Sequence, residues 1–78
     1  MKINVLFFGS LADAMNGQSE IWLEGVRDID TVKNKLLEIN PQLSEYTFRI
    51  ALNQRILEGN QNLKDNDVVA LLPPFAGG

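Results

Sequence analysis

Thr31-Val-Lys-Asn-Lys-Leu-Leu-Glu-Ile-Asn40, stopped by Pro41, is the one long helical pattern in a chain of 78 residues. Val32, Leu36 and Ile39 recur at helical spacing and make a single apolar stripe. Asp30 or Thr31 is placed to cap the first turn, and the backbone restriction ahead of Pro41 ends the helix. A stripe of this kind needs an apolar surface to lie on. The remaining periodic segments alternate with period two, so that surface is a sheet.

Upstream, Lys2-Ile-Asn-Val-Leu-Phe-Phe8 reads as a strand, with Ile3, Val5 and Phe7 on one face and Lys2, Asn4, Leu6 and Phe8 on the other. Ser10 to Gly17 reads as a short helix capped by Ser10, with Leu11, Ala14 and Met15 inward and Gly17 ending it in the left-handed region. A second strand covers 19–24, where Ile21 and Leu23 alternate against Glu20, Trp22 and Glu24. Downstream, a loop through Leu43 and Tyr46 leads to the strand Phe48-Arg-Ile-Ala-Leu52. Asn53-Gln54 then turns the chain into a short strand at Arg55-Ile-Leu57. After turns at Glu58-Gly59-Asn60 and Leu63-Lys-Asp-Asn-Asp67, Val68–Leu72 forms the last strand.

One long helix among several strands predicts an α+β fold: a mixed sheet crossed on one face by the helix, with the first and last strands parallel in its middle. That is the β-grasp arrangement of ubiquitin. The domain covers residues 1–72, and residues 73–78 leave it as a tail.

Composition excludes more chemistry than it supports. The sequence has no His and no Cys, so the usual general base near neutral pH, the strongest side-chain nucleophile and Cys/His zinc sites are all missing. No Gly-rich phosphate loop is present. A net charge of −3 with the seven Lys and Arg scattered gives no nucleic-acid footprint. The run Ile3–Phe8, broken by Asn4 and stopped by Gly9, is too short for a signal peptide or a membrane span. A cytoplasmic protein is expected, with no bound metal or cofactor. If it takes part in chemistry, a partner supplies the catalytic groups.

The ending Pro73-Pro-Phe-Ala-Gly-Gly78 is the segment that reads as chemistry. Consecutive prolines hold the backbone extended and remove two donors, so the tail stands off the sheet. Gly77 and Gly78 lack Cβ atoms and can enter a channel too narrow for other residues. Phe75 is a large apolar group on a free arm, which suits a docking pocket. A carboxylate is a poor electrophile, and activation as an acyl-adenylate by an ATP-using partner makes it a good one.

These residues resemble the MoaD/ThiS ubiquitin-like sulfur-carrier family over nearly the whole chain, most closely its MoaD branch of molybdopterin synthase small subunits. Val5-Leu-Phe-Phe8 looks like the family's first strand, and Thr31-Val32 with Leu36 like its helix start. Ala51-Leu-Asn-Gln54 is similar to its Ala-Val-Asn-Gln stretch, and Leu63-Lys-Asp-Asn-Asp-Val-Val-Ala70 to its Leu-x-Asp-Gly-Asp-x-Val-Ala. Leu72-Pro-Pro-Phe-Ala-Gly-Gly78 matches the Pro-Pro-x-x-Gly-Gly ending, the most specific of these motifs. Asn66 stands where glycine is usual, and asparagine tolerates the left-handed backbone that the turn requires.

The resemblance implies a role in molybdenum cofactor biosynthesis. An E1-like (MoeB-like) enzyme uses ATP to adenylate the Gly78 carboxyl, which becomes a thiocarboxylate. The tail then enters the large (MoaE-like) subunit of molybdopterin synthase and gives its sulfur to cyclic pyranopterin monophosphate. The small subunit is not catalytic alone, and the family assembly is a heterotetramer. Phe8, Ile56 and Leu72 match partner-binding positions, and the outward parity of Phe8 supports this independently. Lone exposed hydrophobes are also common. Trp22 reads as a partly buried edge residue, Asp65 and Asp67 as a solvated turn, and Arg49 and Arg55 as solubilising charges. Alternatives are a carrier for thiamine or cysteine biosynthesis, a ubiquitin-like modifier joined through Gly78 to target lysines, and a plain interaction domain. The Pro-Pro tail favours the MoaD branch.

Overall fold

The computed structural model describes residues 1–74. The elements are β1 (Lys2–Phe7), α1 (Ser10–Ala14), β2 (Glu20–Glu24), α2 (Ile29–Ile39), a 3-10 turn (Pro41–Glu45), β3 (Arg49–Leu52), β4 (Arg55–Leu57) and β5 (Val68–Leu72). The five strands lie in the order β2-β1-β5-β3-β4. β1 and β5 are parallel at the centre, and the flanking pairs are antiparallel. This is the expected α+β arrangement of a β-grasp.

Register assigns the two faces. Val5 lies opposite Val69 and Phe7 opposite Leu71, while Ile50 and Leu52 of β3 meet Leu71 and Val69 from the other side. These residues are buried, with Ile3 and Leu23, beneath Ile29, Val32 and Leu36 of α2. Full burial of each such aliphatic side chain contributes about 1.5–3 kcal/mol. Leu11, Ala14 and Met15 of the α1 segment close one end of this core, as their spacing predicted.

Helix α2 begins two residues before Thr31. The cap is Asp28, not Asp30 or Thr31: its carboxylate accepts from the Thr31 N–H at 2.9 Å, and the Asp28 N–H donates to the Thr31 hydroxyl oxygen at 3.0 Å. The Ile29 N–H donates to the Gln61 carbonyl and the Leu63 N–H to that of Arg27, so the 61–63 strap fixes where the helix starts. With the start moved, Ile29 joins the buried stripe and Ile39, expected inside, is 46% exposed. The buried line continues from Leu36 to Asn40, four residues on, and leaves Ile39 on the flank. Leu43, brought back by the 3-10 turn in the expected loop, is buried in the core. Asn40 is buried with partners: its Nδ2 lies 3.3 Å from the Met15 sulfur, and its Oδ1 accepts from Gln42 at 3.2 Å.

Other departures are small. Ser10 does not cap α1; Gly9 holds the cap position and no side chain caps there. Phe48 precedes β3 and is half-buried against the core. Trp22 is 52% exposed on edge strand β2, with the Lys2 ammonium 5.6 Å above its ring. The expected left-handed turns form at Gly17 and Asn66, with φ of 83° and 70°, and Asn53 and Gln54 both have positive φ, as a two-residue hairpin turn requires. Among the described residues no helix is long and apolar enough to cross a membrane.

Candidate functional site

Among the described residues no helix covers the second face of the sheet. Period two places on it Leu6 of β1, Val68, Ala70 and Leu72 of β5, Ala51 of β3 and Ile56 of β4. Leu6, Ala70, Ala51 and Ile56 are consecutive partners across four strands and form one apolar row. The two alanines are its floor. Phe8, just past β1, keeps the parity of Leu6, and its N–H donates to the Leu71 carbonyl at 3.1 Å, which holds it alongside Leu72.

The result is a shallow depression of about 580 Å³ lined by Leu6, Phe8, Ala51, Ile56, Val68, Ala70 and Leu72, with Asn53 and Gln54 at one end. Phe8 is 47% exposed and Ile56 43%, while Leu72 is half-buried. The residues picked from sequence as a partner surface therefore do come together, although Leu72 is less open than expected. Leu6, Ala51, Val68 and Ala70 belong to the same surface and were not singled out. Strand parity with Phe8 and Leu72 was the signal that could have found Leu6 and Val68, whereas the two alanines are placed by the register.

None of the lining residues is titratable. The depression can hold an apolar surface but cannot move a proton. Asp28 is an acid held below its ordinary range, by the Thr31 hydroxyl first, then the Thr31 N–H and Asn60; it belongs to the cap of α2. Asp65 and Asp67 are occupied as acceptors that tie their turn together and join it to β1 and to the β3–β4 hairpin. Asp65 accepts from the Lys2 N–H at 2.8 Å, and Asp67 accepts from the Lys64 N–H at 2.7 Å and from Asn53 Nδ2 at 2.9 Å. Among the described residues no group of three His, Cys, Asp or Glu could hold a metal. Register sets Arg49 opposite Leu72, and Arg55 opposite the core residue Leu52.

The depression ends where the chain leaves the sheet. Leu72 is the last residue of β5, Pro73 is half-buried and Pro74 is exposed. Phe75, Ala76, Gly77 and Gly78 lie outside the described residues. An exposed apolar surface thus adjoins the root of the Pro-Pro arm.

Three likenesses give this geometry a context. The chain is 32% identical, over all of its length and 99% of the relative's, to the molybdopterin synthase sulfur carrier subunit of Mycobacterium tuberculosis. It superposes with a TM-score of 0.76 and 31% identity, over the whole of both chains, on a chain of the complex of subunits 1 and 2 of molybdopterin-converting factor from Helicobacter pylori. The solution structure of small archaeal modifier protein 1 from Methanosarcina acetivorans matches with a TM-score of 0.80 at 28% identity, over 99% of this chain and 96% of that one. The family model described as the ThiS family matches residues 5–78, from the middle of β1 through the Gly-Gly ending, and the chain belongs to that family.

Proposed function

We propose that this chain is the sulfur-carrier subunit of a molybdopterin synthase and that its working group is the carboxyl of Gly78. The observation that carries this reading is the apolar depression that runs to the root of the Pro73-Pro74 arm and contains no titratable group. Such a surface docks partners, and the chemistry then falls to the arm. The full-length likeness to a named sulfur carrier supports the choice of reaction.

In the proposed cycle an E1-like enzyme joins the Gly78 carboxylate to the α-phosphorus of ATP and pyrophosphate leaves. Sulfide then attacks the acyl carbon, the acyl–phosphate bond breaks and AMP departs, which leaves a thiocarboxylate once the S–H proton is lost to solvent. In the large synthase subunit the sulfur passes to cyclic pyranopterin monophosphate, and water restores the carboxylate. Two small subunits on a dimer of large ones complete the assembly. Phe8, Ile56 and Leu72 bind each partner in turn, and the thin Gly77-Gly78 end reaches the reacting atoms.

Loading the full chain with an E1-like enzyme, ATP and sulfide, followed by intact mass, tests the reading. The expected product has one oxygen replaced by sulfur, and the loaded protein converts the pyranopterin in the presence of the large subunit. A chain that stays unmodified, while a known carrier is loaded in parallel, overturns it. The likeness to an archaeal modifier favours one second reading, conjugation of Gly78 to lysines of other proteins. High-mass conjugates in cells, without a thiocarboxylate, would select that reading.

A further inference from the structure

We propose that Gly9 is a positioning residue that seats Pro73 and so sets the direction in which the C-terminal arm leaves the sheet. Gly9 has φ 58° and ψ −136°, a backbone conformation that is essentially reserved for glycine. It is the second residue of a turn in which the Leu11 N–H donates to the Phe8 carbonyl at 3.2 Å, and its own carbonyl accepts from the Ala12 N–H at 3.2 Å. A Cβ built on Gly9 would lie 3.0 Å from Pro73 Cγ and 3.9 Å from Pro73 Cδ. Gly17 and Gly25 also have positive φ, but a Cβ on either would meet nothing within 4 Å. Conformation and close approach therefore coincide at Gly9, where the partner is the first residue past β5. The proline ring is closed onto its own backbone nitrogen, so its Cγ can shift by a change of pucker but cannot swing clear as a flexible side chain would. A methyl at position 9 moves either the β1–α1 turn that carries Phe8 or the ring that starts the arm, so the docking surface and the arm lose their mutual alignment.

This inference rests on the proposed carrier function for its consequence, but not for its geometry. Two measurements on the full-length protein separate them. In the unmodified wild-type chain, a nuclear Overhauser effect between the Gly9 α protons and the Pro73 γ protons is expected, and its absence overturns the seat whatever the protein does. In loading by the E1-like enzyme with ATP, Gly9→Ala is expected to lower kcat roughly tenfold and to move KM less than about threefold, because a shift of a few tenths of an ångström at the root of the arm grows toward the reacting carboxyl. Pro73→Ala empties the same contact from the other side. In that background the further loss caused by Gly9→Ala should shrink to less than about a third, which is non-additivity between touching groups. A merely structural role for Gly9 would give the same loss in both backgrounds, and that result, or an unchanged kcat, overturns the proposal. Should Gly9→Ala fail to fold, Pro73→Ala alone carries the kinetic test, with lowered kcat at unchanged KM expected. A wild-type chain that is never loaded rejects the carrier function, and the Overhauser effect still decides the seat.

Discussion

Leu71 and Leu72 are the same residue at successive positions of one strand, and they serve opposite ends. Leu71 is completely buried under α2 between Phe7 and Ile50, whereas Leu72 is half-buried on the open face beside Phe8. Phe7 and Phe8 repeat the contrast on β1 and just past its end. Both faces of the sheet are apolar at their centre, and among the described residues only one of them has a helix to cover it. The covered face is used once, in folding. In the proposed cycle the open face has its burial deferred to a partner, so its hydrophobic free energy is available for binding.

The sharpest way to break this division is at the arm. Deleting Gly78, or adding one residue after it, should abolish sulfur loading and leave the unfolding transition unchanged, as read by intact mass and a denaturant titration on the same sample. A C-terminally extended chain that is still loaded, with the extension intact, would refute it. Next in size, Leu36→Ala on the covered face should cost about 2–5 kcal/mol, a large share of the margin in a domain this small. Ile39→Ala, three residues on but on the flank, should cost less than about 0.5 kcal/mol in the same titration. Equal costs would mean that the helix face is misassigned.

On the open face, Ile56→Asp should weaken binding to the E1-like enzyme and to the large subunit by about tenfold or more each, with stability changed by less than about 1 kcal/mol. Leu72→Asp should do the same to binding at a somewhat greater cost in stability, because Leu72 is half-buried. Unaltered binding to both partners would remove the surface assignment. The smallest effect concerns pH. The Asp28 carboxyl is held below its ordinary value, so its contribution to stability is fully present above the unfolded-state pKa and fades as pH falls through the lower folded value. Asp28→Asn keeps an acceptor for the Thr31 N–H and loses that titration. Its stability curve should be flatter than wild type below about pH 4 and parallel to it above, since an unperturbed Asp titrates near there.

Most of the fold was legible because it rests on local periodicity. The alternation in β1 and β5, the two-residue turn at Asn53-Gln54 and the single long helix leave few other ways to close so short a chain. The helix start was not legible. Val32-Leu36-Ile39 and Ile29-Val32-Leu36 are equally good stripes on paper, and the choice between them is made by a strap 32 residues away, through the bond from Ile29 N–H to Gln61. Trp22 was read correctly as an edge residue, since β2 is an outer strand, but it is more open than the partial burial expected, at 52% exposed. Of the site, the three large residues were readable, two of them through the family resemblance. The alanine floor was not, because a small side chain gives no signal until the register sets Ala51 opposite Ala70. Gly9 was read only as the stop to β1, since its closeness to Pro73 joins residues at the two ends of the sequence.

The arm grows from β5, and β5 is the middle strand of the five. It is bonded along its length to β1 on one side and β3 on the other. A partner that draws the arm into a channel pulls along the axis of that strand. Its ladders lie across the pull, so they are loaded together in shear instead of being peeled one at a time as they would be at an outer strand. On the proposed function, the chain can thus be tugged, emptied and released repeatedly without the load unzipping the fold that anchors its arm.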